Sequence, residues 1–196
     1  MEYLIKTKSI GGMTEEQFFW FCQENDSINF ERNAKGEIII MAPTGIDTDE
    51  SNLEIASDLV YWNRKTKLGH VFGYNAGFTL PNNAVRSPDA AYIKKEEWLR
   101  VAPADRKRFA HVCPDFVIEL LSETDHERFL HEKMKEWMEN GCELSWMINP
   151  RKKETTIYRK NGSVEVRAFH ETLDGENVLP GFTLDLTSVF TKEEQF

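Results

Sequence analysis

Glu119 interrupts the apolar run "FVIELL" (116–121), which has the length and composition of a strand covered on both faces. A carboxylate buried there without a partner costs several kcal/mol, so a cation, a hydrogen-bond network or a bound proton must answer it. Asp89 follows Pro88 in "RSPDAAYI" and heads a second apolar run. If the two strands are neighbours, both acids converge at one end of a sheet. Two carboxylates, retained waters and a substrate phosphate are the usual equipment for Mg²⁺.

The cation that answers Glu119 must come from outside its strand. Side chains two apart on a strand share a face, and the position that a lysine could fill there is Leu121. The following segment "HERFLHEKMKEWMEN" offers two lysines. At about 100° per residue, Leu130, Met134, Trp137 and Met138 form its apolar stripe, with Lys133 about 70° from the centre and Lys135 about 130° away. Lys133 is thus expected to reach inward and Lys135 to face solvent. His126 shares the inward flank and is a weaker candidate for proton transfer. Glu54, with Glu50, Asp58 and Tyr61 on the polar side of an earlier helix, would add a metal ligand if that side overhangs the carboxylates. Each residue also has a bland reading: a Pro-Asp turn, a structural Glu–Lys pair, a solvated helix face. Arg86 stays open between a phosphate contact and a turn border.

The elements that must position these residues follow from local pattern. Thr14 N-caps a helix over about 14 to 24, and strands 28–32 and 37–43 flank the turn "NAKG". A long helix through "TDESNLEIASDLVYWNRKTKLG" closes at Gly69, and "HVFGYNAGFTLP" reads as a hairpin. The Asp89–Ile93 strand, a charged helix near "KKEEWLRVA", the Glu119 strand and a helix over about 126 to 140 come next. "CELSWMINP", "ETTIYRK" and "SVEVRAF" form a strand series with an Asn161-Gly162 turn, and "LPGFTLDLTSVF" a short strand and helical turn. The order implies an α/β fold in which helices pack on a mixed sheet, as one domain over 1–196, with a core about 28–150 and C-terminal strands over 151–190.

Composition narrows the function. A net charge of -9 argues against broad, non-specific nucleic-acid binding, because phosphates are neutralised by Lys and Arg, yet it suits a site that gathers carboxylates round a metal ion. No apolar run is long enough to span a bilayer, "MEYLIKTKSIGG" lacks a secretory pattern, and Cys22, Cys113 and Cys142 share neither metal nor redox spacing. The expectation is a cytoplasmic protein with reduced, buried thiols and no membrane partner.

Several stretches together carry a family resemblance. "MAPTG", "SNLEIASDLVYWNRKTKLG", "GFTLPNNAVRSPDAAYI", "CPDFVIELLSETD", "EKMKEWMENGCELSWMINP" and "VLPGFTLDL", in that order, resemble the Uma-two-type restriction endonucleases, long catalogued as a domain of unknown function. The resemblance implies a PD-(D/E)XK nuclease with a restriction-endonuclease-like mixed sheet flanked by helices. Asp89 would then be the PD acid, Glu119 the second acid, and Glu54 the helical acid of many superfamily members. Leu121 departs from the expected lysine, and the resemblance implies that Lys133 replaces it. It further implies that Asp89, Glu119 and the backbone carbonyl of Leu120 hold Mg²⁺ or Mn²⁺ for hydrolysis of DNA phosphodiester bonds, with Lys133 orienting the attacking water. Superfamily members commonly pair, so a homodimer is an expectation too.

Two other functions compete. In one, Glu119 and Lys133 are only a structural pair, and the chain is a catalytically inactive nuclease-like module that binds nucleic acid or protein. In the other, the carboxylates do acid/base work as in a glycosidase. An inward lysine opposes the latter, because a nearby cation favours ionised acids over the raised pKa that a general acid needs.

Overall fold

A computed structural model of the chain describes residues 2–190; residue 1 and residues 191–196 of the expected domain span lie outside the described residues. Strand β1 (Glu2–Ile5) precedes helix α1 (Glu15–Glu24), strands β2 (Asn29–Arg32) and β3 (Ile38–Met41), and helix α2 (Ile46–Thr66). Then come β4 (Gly69–Gly73), β5 (Phe78–Thr79), β6 (Val85–Arg86), β7 (Ala90–Lys94), α3 (Lys95–Arg100), β8 (Ala110–His111) and β9 (Phe116–Leu120). Helix α4 (Glu127–Glu139) leads to β10 (Leu144–Asn149), β11 (Glu154–Arg159) and β12 (Val164–Ala168), and the described chain closes with β13 (Leu173–Asp174), β14 (Thr183–Leu184) and α5 (Leu186–Phe190).

The mixed α/β class holds, but the strands divide between two six-stranded sheets rather than forming one. The first runs β1-β3-β2-β6-β5-β8 and the second β12-β11-β10-β9-β7-β4. The expected hairpin over 70–81 does not form. β4 pairs with β7 in the second sheet, whereas β5 pairs with β6 and β8 in the first. Both strands have ordinary pleat-forming residues, and local pattern cannot say that their partners lie in different sheets.

Alternation in β9 sorts its side chains between two packing layers. Phe116, Ile118 and Leu120 join Ile55, Leu59 and Trp62 of α2 in one core, whereas Val117 joins Met134 and Trp137 of α4 in the other. Glu119 lies on the α4 side of this alternation. The first core also takes Leu173, Leu179, Phe182, Leu184 and Leu186, so the apolar core extends well past residue 150. Strand β9, helix α4 and strand β10 form a βαβ unit, since β9 and β10 are parallel and paired from Phe116↔Leu144 to Leu120↔Ile148.

A local signal explains the start of α1. The Thr14 hydroxyl accepts the Gln17 amide hydrogen at 3.2 Å, and the Gln17 side chain accepts that of Thr14 at 2.9 Å, a reciprocal capping box. Of the three free thiols only Cys142 is fully buried; Cys22 and Cys113 are half-buried, so the expectation of buried thiols holds for one of them.

Candidate active site

The β7–β9 ladder places Ala90 opposite Ile118, and one step further along the same antiparallel register puts Asp89 opposite Glu119. Residues directly opposite on neighbouring strands have Cβ atoms about 4.5–5.5 Å apart. Asp89 is half-buried just before β7, and its two oxygens are held from different directions. Oδ2 accepts the Leu120 amide hydrogen at 2.7 Å, and Oδ1 accepts from the Asn52 side chain of α2 at 3.1 Å. The acid at the strand head thus ties the end of β7 to the end of β9.

Glu119 is 4% exposed, and α4 supplies its partners. Lys133 Nζ lies 2.8 Å from Oε1 and 3.0 Å from Oε2, and the Trp137 indole donates to Oε1 at 2.9 Å. Lys133 and Trp137 are four apart and share one face of α4. Lys133 is 8% exposed while Lys135 is exposed, as the position of the apolar stripe predicts.

Lys133 has a second acid partner that sequence reasoning missed. Glu31 of β2 is 1% exposed and lies 2.9 Å from Lys133 Nζ. It also takes a 2.8 Å ion pair from Arg86 and the Ser87 amide hydrogen at 2.9 Å. Arg86 in turn pairs with Glu136 of α4, and Lys133 donates to the Ser87 carbonyl at 3.2 Å. Arg86 is therefore placed inside the acid–base cluster rather than on a turn border. Glu31 gave little signal, because in "INFERN" two charged residues follow one another in a strand and alternation cannot choose which faces inward.

Two sequence candidates are not brought into the cluster. His126 is exposed at the N-cap of α4, where it makes an edge-on contact with Phe129. The helix begins one residue later, so its first inward residues follow His126 instead of including it. Glu54 is half-buried on α2, about 160° around the helix from Asn52 at 100° per residue. Because Asn52 is the α2 residue that reaches Asp89, Glu54 faces the opposite flank.

Burial dominates the electrostatics. It pushes the Glu119 carboxyl up to about 8; Lys133 pulls it down, while Asp89 and Glu31 push it further up. Asp89 is also raised by burial, against the Leu120 hydrogen bond and the Lys133 charge. Glu31 goes the other way: Lys133, Arg86 and the Ser87 N–H together outweigh its desolvation and hold it low. Burial works against the Lys133 charge, but Glu119 and Glu31 outweigh it and keep the ammonium protonated.

The donor set suits a hard divalent cation. Each carboxylate oxygen has two lone pairs, and three of the four oxygens of Asp89 and Glu119 carry only one hydrogen bond. Asp89, Glu119, Glu31 and Glu136 face Lys133 and Arg86, so the fully ionised cluster has two negative charges in excess. No group of three or more His, Cys, Asp or Glu able to hold a metal occurs among the described residues. Mg²⁺ does not require one, since it takes one or two carboxylates and keeps its waters.

Comparison with known proteins agrees with this architecture. Residues 15–187 match the model of the Uma2 family, described as "Putative restriction endonuclease". The chain belongs to that family. Its fold is similar to the crystal structure of a putative nuclease belonging to DUF820 from Anabaena variabilis, with a TM-score of 0.73 and 15% identity over 91% of this chain and 98% of that one. No curated protein matches. Among the described residues, no helix is long and apolar enough to cross a membrane.

Proposed function

We propose that the protein is a Mg²⁺-dependent endonuclease that hydrolyses DNA phosphodiester bonds, with Asp89, Glu119 and Lys133 as its catalytic residues. The observation that carries this reading is the position of Asp89 opposite Glu119 at one end of the sheet, with the Lys133 ammonium on Glu119. Asp89, Glu119 and the Leu120 carbonyl would hold Mg²⁺ or Mn²⁺. When bound, such an ion polarises the scissile phosphate and lowers the pKa of a water ligand.

The chain's own groups do the remaining work. Asn52 and the Leu120 amide fix the Asp89 carboxylate, and Trp137 fixes that of Glu119. Lys133 keeps its charge between Glu119 and Glu31, and its ammonium would donate to a water or to a non-bridging phosphate oxygen held beside Glu119. The test is incubation of supercoiled and single-stranded DNA with the purified protein and Mg²⁺ or Mn²⁺, with Asp89→Ala and Glu119→Ala in parallel. Cleavage by the wild type alone supports the proposal, and its absence with both metals and both substrates defeats it.

One observation favours the inactive-module reading. The three N–H donors of Lys133 already face Glu119, Glu31 and the Ser87 carbonyl, as a structural pair would arrange them. On that reading Asp89→Ala lowers stability, through loss of the Leu120 and Asn52 hydrogen bonds, and leaves binding of nucleic acid or protein by the folded chain unchanged.

A further inference from the structure

A cleft of about 410 Å³ opens at the carboxyl end of β10 beside the start of α4. We infer that this cleft is a subsite for a phosphodiester group of a bound nucleic-acid strand, next to the carboxylate pair and distinct from it. The inference rests on the proposed nuclease reading and adds to it the surface that holds the substrate backbone.

Three independent features point to an anion. Asn149, at the end of β10, lines the cleft, is 1% exposed, and its side-chain nitrogen has no hydrogen-bond partner among the described residues. Its carbonyl oxygen is taken by the Lys152 amide at 3.3 Å, which leaves the NH₂ as the group without an acceptor. A buried donor in that state is unfavourable unless a ligand or water completes it. The 13-residue helix α4 starts at the same cleft with no side-chain cap on its first N–H groups, and an uncapped N-terminus favours negative charge. Arg151 lines the cleft too, and its guanidinium reaches across to the carbonyls of Glu123 at 3.5 Å and Asp125 at 3.1 Å.

The charges round the cleft suit a single phosphate. Arg128, Arg151 and Lys152 line it with Asp125 and Glu127: Lys152 lies 2.7 Å from Glu127 and 3.7 Å from Glu154, Arg128 stands 3.9 Å from Glu132, and Asp125 accepts the Ser122 amide hydrogen at 3.0 Å, so a phosphate there would compete with these acids for Arg128 and Lys152. The location fits as well. In sheets built from βαβ units, ligands bind outside the carboxyl ends of the strands, and β9–α4–β10 is such a unit. Asn149 continues the β9–β10 register level with Leu121, so at about 4.8 Å between strands and about 3.3 Å per residue its backbone lies roughly 8 Å from that of Glu119 and roughly 12 Å from that of Asp89.

The test measures anisotropy of a fluorescein-labelled duplex DNA with the full chain in EDTA, over a range of salt, for wild type, Arg151→Ala, the double variant Arg128→Ala/Lys152→Ala and Asp89→Asn. Inorganic phosphate is added as a competitor, and thermal melts check folding. The expected result is a roughly tenfold weaker affinity for Arg151→Ala and for the double variant, with a salt slope smaller by about one per cation removed. Asp89→Asn should bind as well as wild type or better. The double variant alters exposed side chains, so it reports even if Arg151→Ala disturbs the loop that Arg151 holds. Equal affinity of wild type and the double variant overturns the subsite, as does binding of inorganic phosphate without binding of duplex. Cleavage with unchanged binding in both cation variants defeats this inference alone. Cation-dependent binding without cleavage supports it while defeating the nuclease reading.

Discussion

Asp89 stands opposite Glu119 one step beyond the last pair of the β7–β9 ladder, and its carboxylate closes that step by accepting the Leu120 amide hydrogen. One acid therefore belongs to the sheet's hydrogen bonding and the other to the helix packed on it. Their substitutions should differ in stability and agree in activity. Asp89→Asn and Glu119→Gln are each expected to lower DNA cleavage at least ~10²-fold, since each removes a carboxylate proposed to hold the cation. Plasmid nicking assays with Mg²⁺ check this, and residual activity near the wild-type level in either variant removes that residue from the proposed site.

Lys133 is the cation on which the buried acids depend. Lys133→Met leaves Glu31 with Arg86 and the Ser87 amide, and takes from Glu119 its lysine partner. Removing one member of a buried ion pair costs about 3–5 kcal/mol, so urea unfolding should show a loss of that order together with loss of cleavage. A variant as stable as wild type would mean that Lys133 is not buried among carboxylates in solution.

Metal affinity should depend on pH with a definite sign. Burial pushes the Glu119 carboxyl up to about 8 against the pull of Lys133, so a cation that binds there must displace whatever proton this carboxyl holds near neutral pH. Mg²⁺ affinity is therefore expected to rise from pH 6 to pH 8 and to level off above it, with up to about one proton released per ion at pH 7. Calorimetry in two buffers of different ionisation enthalpy measures the release directly. A flat affinity over that range contradicts a protonated Glu119.

Glu31 anchors Lys133 from the first sheet. Glu31→Gln keeps the shape but removes the charge shared by Lys133 and Arg86, and should cost about 1.5–3 kcal/mol of stability, the range for hydrogen bonds to charged groups. It should also reduce turnover more than it changes the Mg²⁺ midpoint, because Glu31 touches the lysine and not the proposed metal ligands. An unchanged melting temperature and turnover would show that the lysine is positioned without it.

The Glu119–Lys133 pairing was legible in the sequence because two local periods specify it. An apolar strand flags its one acid, and the helical period turns Lys133 inward and Lys135 outward. Asn52 and Glu31 were not legible. Asn52 reads as an ordinary polar residue on an amphipathic helix, and Glu31 reaches Lys133 only because the first sheet packs against α4. The division of "HVFG" and "FTL" between two sheets was hidden for the same reason: strand propensity says that a segment is extended and not which neighbour it finds. The reach of the core into Phe182 and Leu184 likewise depends on tertiary contact with α2.

The bridge from Glu31 to Lys133 also has a consequence for the order of events during synthesis. Its two ends are separated by about a hundred residues, and between them lie Ser87 and Glu119, which touch the same ammonium. Closure over such separations is slow compared with formation of helices and turns. A nascent chain that has emitted β9 but not α4 holds its acids without their lysine. The hydrolytic constellation proposed for this protein is thus switched on by completion of the fold, and a partly translated chain is expected to be chemically silent.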